Sequence, residues 1–120
     1  MPSKSEKEIQ KELLAYAKKH PKIVWIDRAN SGKVKVKGGF MQLHENGTPD
    51  LIGYASSGIM IAIEIKDEAN FNKKNHGLRN EQINRLYSMY ECGCYSGVAC
   101  TIEHVDQIMN EEYPGLVWPE

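Results

Sequence analysis

The sequence lacks the features that would assign it to a membrane or disulfide-rich class of protein. Its 120 residues contain no apolar run near the roughly 20 residues that cross a membrane, and no signal-peptide pattern opens the chain. Three cysteines are too few, and odd in number, for a disulfide framework, which indicates a reducing compartment. We therefore expect a cytoplasmic protein without a membrane partner, built as one domain over residues 1–120.

The sequence also lacks a strong net charge, but its charges are unevenly distributed. The net charge is −1, yet residues 1–85 hold all 15 Lys and Arg residues, and residues 86–120 hold none. Between Arg28 and Leu43 there are four basic side chains and no acid. Charge alone favours a solvated surface here over a basic face that meets phosphates.

Hydrophobic periodicity predicts a chain of alternating helices and strands. The predicted elements are helices over 5–19, 80–91 and 103–112, strands over 22–27, 50–54, 58–67 and 95–101, a hairpin within 33–43, a mobile loop over 67–79 and an irregular tail over 113–120. The connection between the last two strands is long enough for a parallel crossover. This order predicts an α/β sandwich with a central mixed β-sheet flanked by helices.

The strand predicted over 58–67 divides its side chains between two faces with period two. One face carries four isoleucines and is predicted to be core: Ile59, Ile61, Ile63 and Ile65. The other face ends with Glu64 and Lys66, which are costly in a buried strand unless they are paired or act on a ligand. Taken alone, they could also be an exposed ion pair worth under about 1 kcal/mol.

Three charged side chains are predicted to meet at one end of the sheet. Pro49-Asp50 opens one strand and Glu64-Ile65-Lys66 closes the next, and a turn near residues 56–58 would bring positions 50 and 66 together. Two neighbouring carboxylates repel unless a cation lies between them, and oxygen ligands suit Mg²⁺ or Mn²⁺. Lys66 can hold water or offset charge on phosphorus, so this set could hydrolyse a phosphodiester.

These motifs resemble the PD-(D/E)XK nuclease pattern, and the flanking segments resemble its VRR-NUC branch (virus-type replication-repair nucleases). Five segments carry the resemblance: Glu6 with Ile9-Gln10, the loop Arg28-Ala29-Asn30-Ser31-Gly32, Gly47-Thr48-Pro49-Asp50-Leu51-Ile52, Glu64-Ile65-Lys66, and Asn80-Glu81-Gln82. They span almost the whole chain in the family's order. The long insert over 33–46 departs from the family pattern.

The resemblance implies a restriction-endonuclease-like fold and a DNA nuclease that depends on Mg²⁺ or Mn²⁺. It implies metal ligands at Asp50, at Glu64 and at the backbone carbonyl of Ile65. It also implies that Lys66 acts in catalysis and that Gln82 supports the active site.

The resemblance further implies an acidic residue on the first helix, which could be Glu6 or Glu8. At about 100° per residue, Glu6 lies closer than Glu8 to the inward face of that helix. Glu6 also has the family's spacing to Ile9-Gln10. We therefore select Glu6 as the catalytic and metal-binding acid and keep Glu8 as the alternative.

Two basic segments are the predicted contacts for DNA phosphates, through salt-sensitive attraction that does not read sequence. The residues are Arg28, Asn30, Lys33, Lys35, Lys37, Lys73, Lys74 and Arg79. Stand-alone VRR-NUC proteins resemble Holliday-junction resolvases, so we expect a homodimer acting on branched DNA. The family name suggests phage replication and repair, and a phage protein would work in the host cytoplasm.

Three alternatives remain open at this point. The chain could be a catalytically silent DNA-binding or assembly module of the same fold, or a flap nuclease or exonuclease. The third is a zinc-bound interaction module built on Cys92, Cys94, Cys100 and His104, although their spacing is not that of standard zinc knuckles. We expect small buried thiols instead.

Overall fold

The structure, a computed structural model, describes residues 3–29, 33–36, 39–42 and 47–112, with the backbone described for 33–36 and 39–42. The elements follow in the order α1 (Glu6–Lys18), β1 (Ile23–Arg28), β2 (Lys33–Val36), β3 (Gly39–Gln42), β4 (Leu51–Ala55), β5 (Met60–Ile65), α2 (Glu68–Phe71), α3 (Asn80–Glu91), β6 (Tyr95–Ala99) and α4 (Ile102–Met109). Asn30 and Lys37, which are predicted DNA contacts, lie outside the described residues, as does the tail over 113–120, which is predicted to be irregular.

Helix α1 begins where its capping sequence predicts. The Ser5 hydroxyl accepts a hydrogen bond from the Glu8 N–H at 3.2 Å, and the Glu8 carboxylate accepts one from the Ser5 N–H at 3.3 Å. This reciprocal arrangement satisfies two N–H groups that the helix itself leaves without acceptors. The cap therefore sets the rotation of the first turn, which carries Glu6.

The main sheet has four strands in the order β1-β4-β5-β6. β4 pairs antiparallel with β1 and β5, and β5 pairs parallel with β6 after a crossover through α3. β2 and β3 form a separate antiparallel pair, which is the hairpin predicted within 33–43. The predicted mixed sheet and parallel crossover are both confirmed.

Helices cover the two faces of this sheet. α1 and α4 pack on the face that carries Ile61, Ile63 and Ile65, all of them fully buried. α3 packs on the other face, where Leu86 contacts the cluster around Val98. The strands need apolar residues on both faces for this packing, so the predicted α/β sandwich with flanking helices is confirmed.

Two local predictions are wrong. Ile59, expected in the core, lies in the turn before β5 and is 36% exposed. The segment 67–79, expected to be a mobile loop, contains α2, which the Asp67 side chain caps at the Asn70 N–H. The Phe71 ring contacts the rings of His76 and His104, with ring centroids 4.4 Å apart in each pair. This aromatic packing holds the segment in place, although its polar composition had suggested no packing.

No helix in the described part of the chain is long and apolar enough to span a membrane.

Candidate active site

The register of β4 and β5 places Asp50 opposite Glu64. Leu51 pairs with Ile63, so Asp50, which directly precedes β4, faces Glu64, the next residue of β5. The sequence predicted that position 50 would lie near position 66. Its partner in the structure is position 64, two residues earlier in the chain. The difference follows from the turn over 56–58, in which the Ala55 N–H donates to the Ile59 carbonyl at 2.9 Å and so sets the register of the hairpin.

Asp50 is held by both neighbouring strands. Its Oδ2 accepts a hydrogen bond from the Ile65 N–H at 2.8 Å, and its backbone carbonyl accepts one from the Ala29 N–H at 2.9 Å. The side chain is half-buried at the point where β4 begins. Its carboxyl is therefore directed at the end of β5 by backbone contacts that do not depend on a ligand.

Glu64 is buried beside Asp50 and is 3% exposed. Burial raises the pKa of Glu64 to about 10, and a hydrogen bond with the Asp50 carboxyl and the negative charge of Asp50 act in the same direction. Two carboxyl groups can form such a bond only if they share a proton. Without a cation, the pair is therefore stable with Glu64 protonated at neutral pH.

One oxygen of this pair has no partner. Glu64 Oε2 is buried and receives no hydrogen bond from any described group. A buried oxygen without a donor costs about 1–3 kcal/mol, and native structures keep few of them. This atom therefore marks a position where a ligand would be stabilising.

Lys66 lies close enough to Glu64 and Glu6 to act on both electrostatically. Its positive charge lowers the pKa of Glu64 and of Glu6, although burial and neighbouring acids outweigh it at both groups. Its backbone N–H donates to the Ala99 carbonyl at 3.1 Å, which extends the pairing of β5 with β6. The side chain is half-buried, so its ammonium has access both to the carboxylates and to solvent.

Glu6 is the first-helix acid that the fold brings to this site. Burial and the charge of Asp50 raise the pKa of Glu6, and Asp67 adds to the increase. Glu8, the alternative, instead bonds to Ser5 in the cap of α1. Glu6 is therefore electrostatically coupled to Asp50 and Lys66, whereas Glu8 is engaged in the helix cap.

Gln82 is buried at the start of α3, where its side chain forms a hydrogen bond with the backbone. Its side-chain oxygen accepts a hydrogen bond from the Arg79 N–H at 2.9 Å. The preceding residue, Glu81, contacts the segment that leads into Asp50, because a Cβ at Gly47 would lie 2.7 Å from the Glu81 carbonyl oxygen. This close approach fixes the start of α3 against the chain just before Asp50.

Asp67 is the acid near the site that the sequence analysis did not single out. Its charge raises the pKa of Glu6, and its side chain caps α2. The signal was present, since Asp67 directly follows Glu64-Ile65-Lys66. From the sequence, Asp67 is predicted only to end the strand over 58–67.

The predicted DNA contacts are spread over the described surface. Arg28, Lys73, Lys74 and Arg79 are exposed, and Arg79 lies 3.8 Å from Glu81. Lys33 and Lys35 lie on β2, where the backbone alone is described. The structure therefore leaves the four described cations accessible to a ligand.

The cysteines and His104 do not gather around a common point. Cys94 and Cys100 flank the two ends of β6, about 20 Å apart along an extended strand. His104 Nδ1 accepts hydrogen bonds from the N–H groups of Cys100 and Thr101 at 3.0 and 3.1 Å. Cys92 is exposed and the other two thiols are half-buried, so the expectation of buried thiols is wrong.

The donors around Asp50 fit a divalent cation held by few protein ligands. No three His, Cys, Asp or Glu side chains within the described ranges form a metal-binding group on their own. Two carboxylates do converge, one of them with an unpartnered buried oxygen. Mg²⁺ and Mn²⁺ prefer such hard oxygen donors, and Mg²⁺ usually keeps several waters, so two carboxylates can form an adequate protein ligand set.

Comparison with known proteins gives a match at the level of fold. No protein-family model and no curated protein matches the sequence. Among solved structures, a chain described as "VRR_NUC domain protein" superposes with a TM-score of 0.58 at 20% sequence identity, covering 98% of this chain and 94% of that chain. The chain therefore has the fold of a VRR-NUC domain, as its sequence motifs predict.

Proposed function

We propose that the protein is a divalent-metal-dependent DNA endonuclease. The observation that carries this proposal is the pair of the buried Glu64 with Asp50, in which Glu64 Oε2 receives no hydrogen bond from any described group. Structural pairs of this kind are rare because two carboxylates repel and desolvation penalises both. A site that maintains them is arranged for a cation, and the shared fold with a VRR-NUC domain supports a nuclease.

Asp50, Glu64 and the Ile65 carbonyl would hold the cation, with Glu6 as a further acid. When bound, a Mg²⁺ or Mn²⁺ ion would polarise the scissile phosphate and lower the pKa of a bound water. Glu64 must release its proton for this role, and Lys66 favours that release because its charge lowers the pKa of Glu64.

Lys66 would also position the attacking water and offset the charge that develops on phosphorus. Its half-buried ammonium is the cation that interacts with both Glu64 and Glu6. Gln82 would act as a positioning residue, since its oxygen bonds to the backbone at the start of α3. Chemistry of this type needs no histidine base.

The substrate we propose is branched DNA, such as a four-way junction, cut by a homodimer. Two copies related by a two-fold axis would present two active sites to two strands. The sheet supports self-association, because Trp25, Tyr54 and Met60 lie in one row across β1, β4 and β5 and form an exposed apolar patch that includes the edge strand. Val24 and Ile59 are exposed as well. Such patches on a monomer surface mark interaction sites.

The experiment that tests the proposed activity compares Asp50→Asn with Asp27→Asn. Asp27 pairs with Ile52, two residues after Asp50, and the variant makes the same isosteric change outside the site. We expect cleavage in Mg²⁺ or Mn²⁺ to fall at least about a hundredfold in Asp50→Asn and to stay near wild type in Asp27→Asn. Four-way, flap, single-stranded and linear substrates are assayed side by side, with a chelator control.

Each alternative function has its own outcome in this assay. Cleavage that survives in the chelator or in Asp50→Asn contradicts the proposed site. DNA binding without cleavage by the wild-type protein identifies a silent module. Cleavage confined to flaps or free ends identifies a flap nuclease or exonuclease and overturns the junction substrate while leaving the metal site in place.

A further inference from the structure

A groove lined by four cations runs between α1 and the end of β1. It has a volume of about 480 Å³, and its charged lining residues are Lys7, Lys11, Lys18 and Arg28. No acidic side chain of the described residues lines it. Of the four cations, only Arg28 was among the DNA contacts predicted from the sequence, so the helix lysines constitute a separate feature.

The three lysines form a straight row along α1. At about 100° per residue, Lys11 and Lys18 lie within about 40° of Lys7 around the helix axis. The row extends for about 16 Å, since the helix rises about 1.5 Å per residue. The acids of the same helix do not line the groove, although Glu8 and Glu12 line a neighbouring surface pocket together with Lys11.

Within the described ranges, none of these four cations has an ion-pair partner, whereas Lys4, which precedes α1, pairs with Glu12 of that helix. Single lysines on a helix are usually just solvated. Four like charges along one groove repel one another and concentrate a positive potential, which is stabilised by a polyanion.

The dimensions of the row match a DNA backbone. A row about 16 Å long can contact a few consecutive phosphates along one strand of B-DNA. Lysine ammonium groups meet phosphates as point charges and do not read bases. The row also starts at Lys7, which directly follows the site acid Glu6.

We propose that this groove, the α1 groove, binds the backbone of a DNA duplex that leads away from the candidate active site. The inference rests on the proposed nuclease function and adds to it the path of the substrate. Lys7, Lys11, Lys18 and Arg28 hold the phosphates of one strand, and Glu6 at the end of the row faces the cleavage site. The groove binds duplex arms of any sequence.

The test uses two adjacent lysines as a matched pair. Lys18→Gln removes a groove cation, and Lys19→Gln removes an exposed cation at the helix end that lies about 120° from Lys7. Binding of a fluorescent duplex is measured in EDTA between 50 and 200 mM salt, about the range over which counterion release is visible. We expect Lys18→Gln to reduce the slope of log K against log salt by about 0.9 and Lys19→Gln to leave it unchanged.

The triple variant Lys7→Gln, Lys11→Gln, Lys18→Gln extends the test. Its slope should fall by about 2.7, and cleavage should show a raised KM with kcat near wild type. Equal slopes for Lys18→Gln and Lys19→Gln would contradict DNA binding in the α1 groove. A triple variant with the slope of the wild type would contradict it as well. In that case, normal cleavage by the same variants leaves the nuclease proposal intact.

The opposite failure is distinguishable. If the salt slope depends on the groove lysines but the wild-type protein cuts no DNA with either metal, the nuclease proposal fails and DNA binding in the groove is supported. If the wild-type protein binds no duplex at all, DNA binding in the groove is contradicted.

Discussion

At the scale of single residues, the candidate site shows a conflict between stability and function. Glu64 is almost fully buried, one of its oxygens has no partner within the part of the chain that the structure describes, and its pKa is raised to about 10. In a site without a cation, the folded protein therefore holds a proton that the unfolded chain releases near the ordinary value of 4.5. Active sites commonly keep such locally unfavourable groups because the reaction requires them.

The raised pKa of Glu64 predicts how stability depends on pH. Between pH 5 and pH 10 the folded state binds more protons than the unfolded state, so the free energy of unfolding falls as pH rises. The contribution from this residue is up to about 1.4 kcal/mol for each pH unit. Urea unfolding of the metal-free protein is measured at pH 6 and pH 9. From pH 6 to pH 9 the wild type should lose more unfolding free energy than Glu64→Gln, so the variant gains stability relative to the wild type as pH rises.

The control for this prediction is Glu81→Gln, since Glu81 is exposed. That variant should follow the wild type at both pH values. Parallel behaviour of the wild type and Glu64→Gln would show that Glu64 titrates normally. The stabilised variant should also lose cleavage, because an amide is a weaker metal ligand than a carboxylate.

At the scale of elements, the site depends on how closely strands β1 and β4 approach. A Cβ at Gly53 would lie 2.0 Å from the Trp25 carbonyl oxygen and 2.7 Å from the Ile26 Cα, both backbone atoms. Backbone cannot yield as a side chain does, so β4 needs a glycine here. The same strand begins beside Asp50, which makes the β1–β4 pairing a condition for the site.

Two glycine substitutions in the sheet should therefore differ in their cost. Gly53→Ala meets backbone, whereas Gly97→Ala meets the Ile108 side chain at 2.8 Å, which can rotate away. We expect a loss of more than about 3 kcal/mol for Gly53→Ala and of about 1–2 kcal/mol for Gly97→Ala. Urea midpoints measure both, and the reverse order would contradict the close approach of β1 and β4.

At the scale of the whole molecule, the two faces of β1 have different partners. Ile26 is buried under α1, and Arg28 lies in the α1 groove. Trp25 is 48% exposed and stacks on Tyr54, with ring centroids 6.2 Å apart. The molecule therefore presents an apolar patch and a basic groove from one edge strand, which would allow a second copy and DNA to bind at once.

Removal of the exposed aromatic pair should convert the proposed homodimer into monomers. Trp25 and Tyr54 lie on the surface, so the double variant Trp25→Ser, Tyr54→Ser should keep its fold by circular dichroism. Sedimentation should give a dimer for the wild type and for the conservative variant Trp25→Phe, and a monomer for the double variant. A monomeric wild type would contradict the dimer but not the metal site.

Much of the fold was predictable because its signals are local. Helix α1 has a capping box and a helical apolar stripe, and the alternation around Ile61, Ile63 and Ile65 defines a strand within six residues. The segment 67–79 was not predictable, because the stacking of Phe71 on His104 joins residues far apart in sequence. Ile59 was misplaced because alternation does not mark where a strand ends.

The sequence by itself determined which residues could do the chemistry, since Asp50, Glu64 and Lys66 stand in short motifs with a recognisable spacing. Tertiary structure alone decided which of them meet: the turn over 56–58 sets Asp50 opposite Glu64, and burial by distant elements raises the pKa of Glu64 to about 10. It also set Arg28 beside the lysine row of α1. Composition and periodicity report short-range preference, whereas charge repulsion, desolvation and grooves depend on distances between segments that only folding brings together.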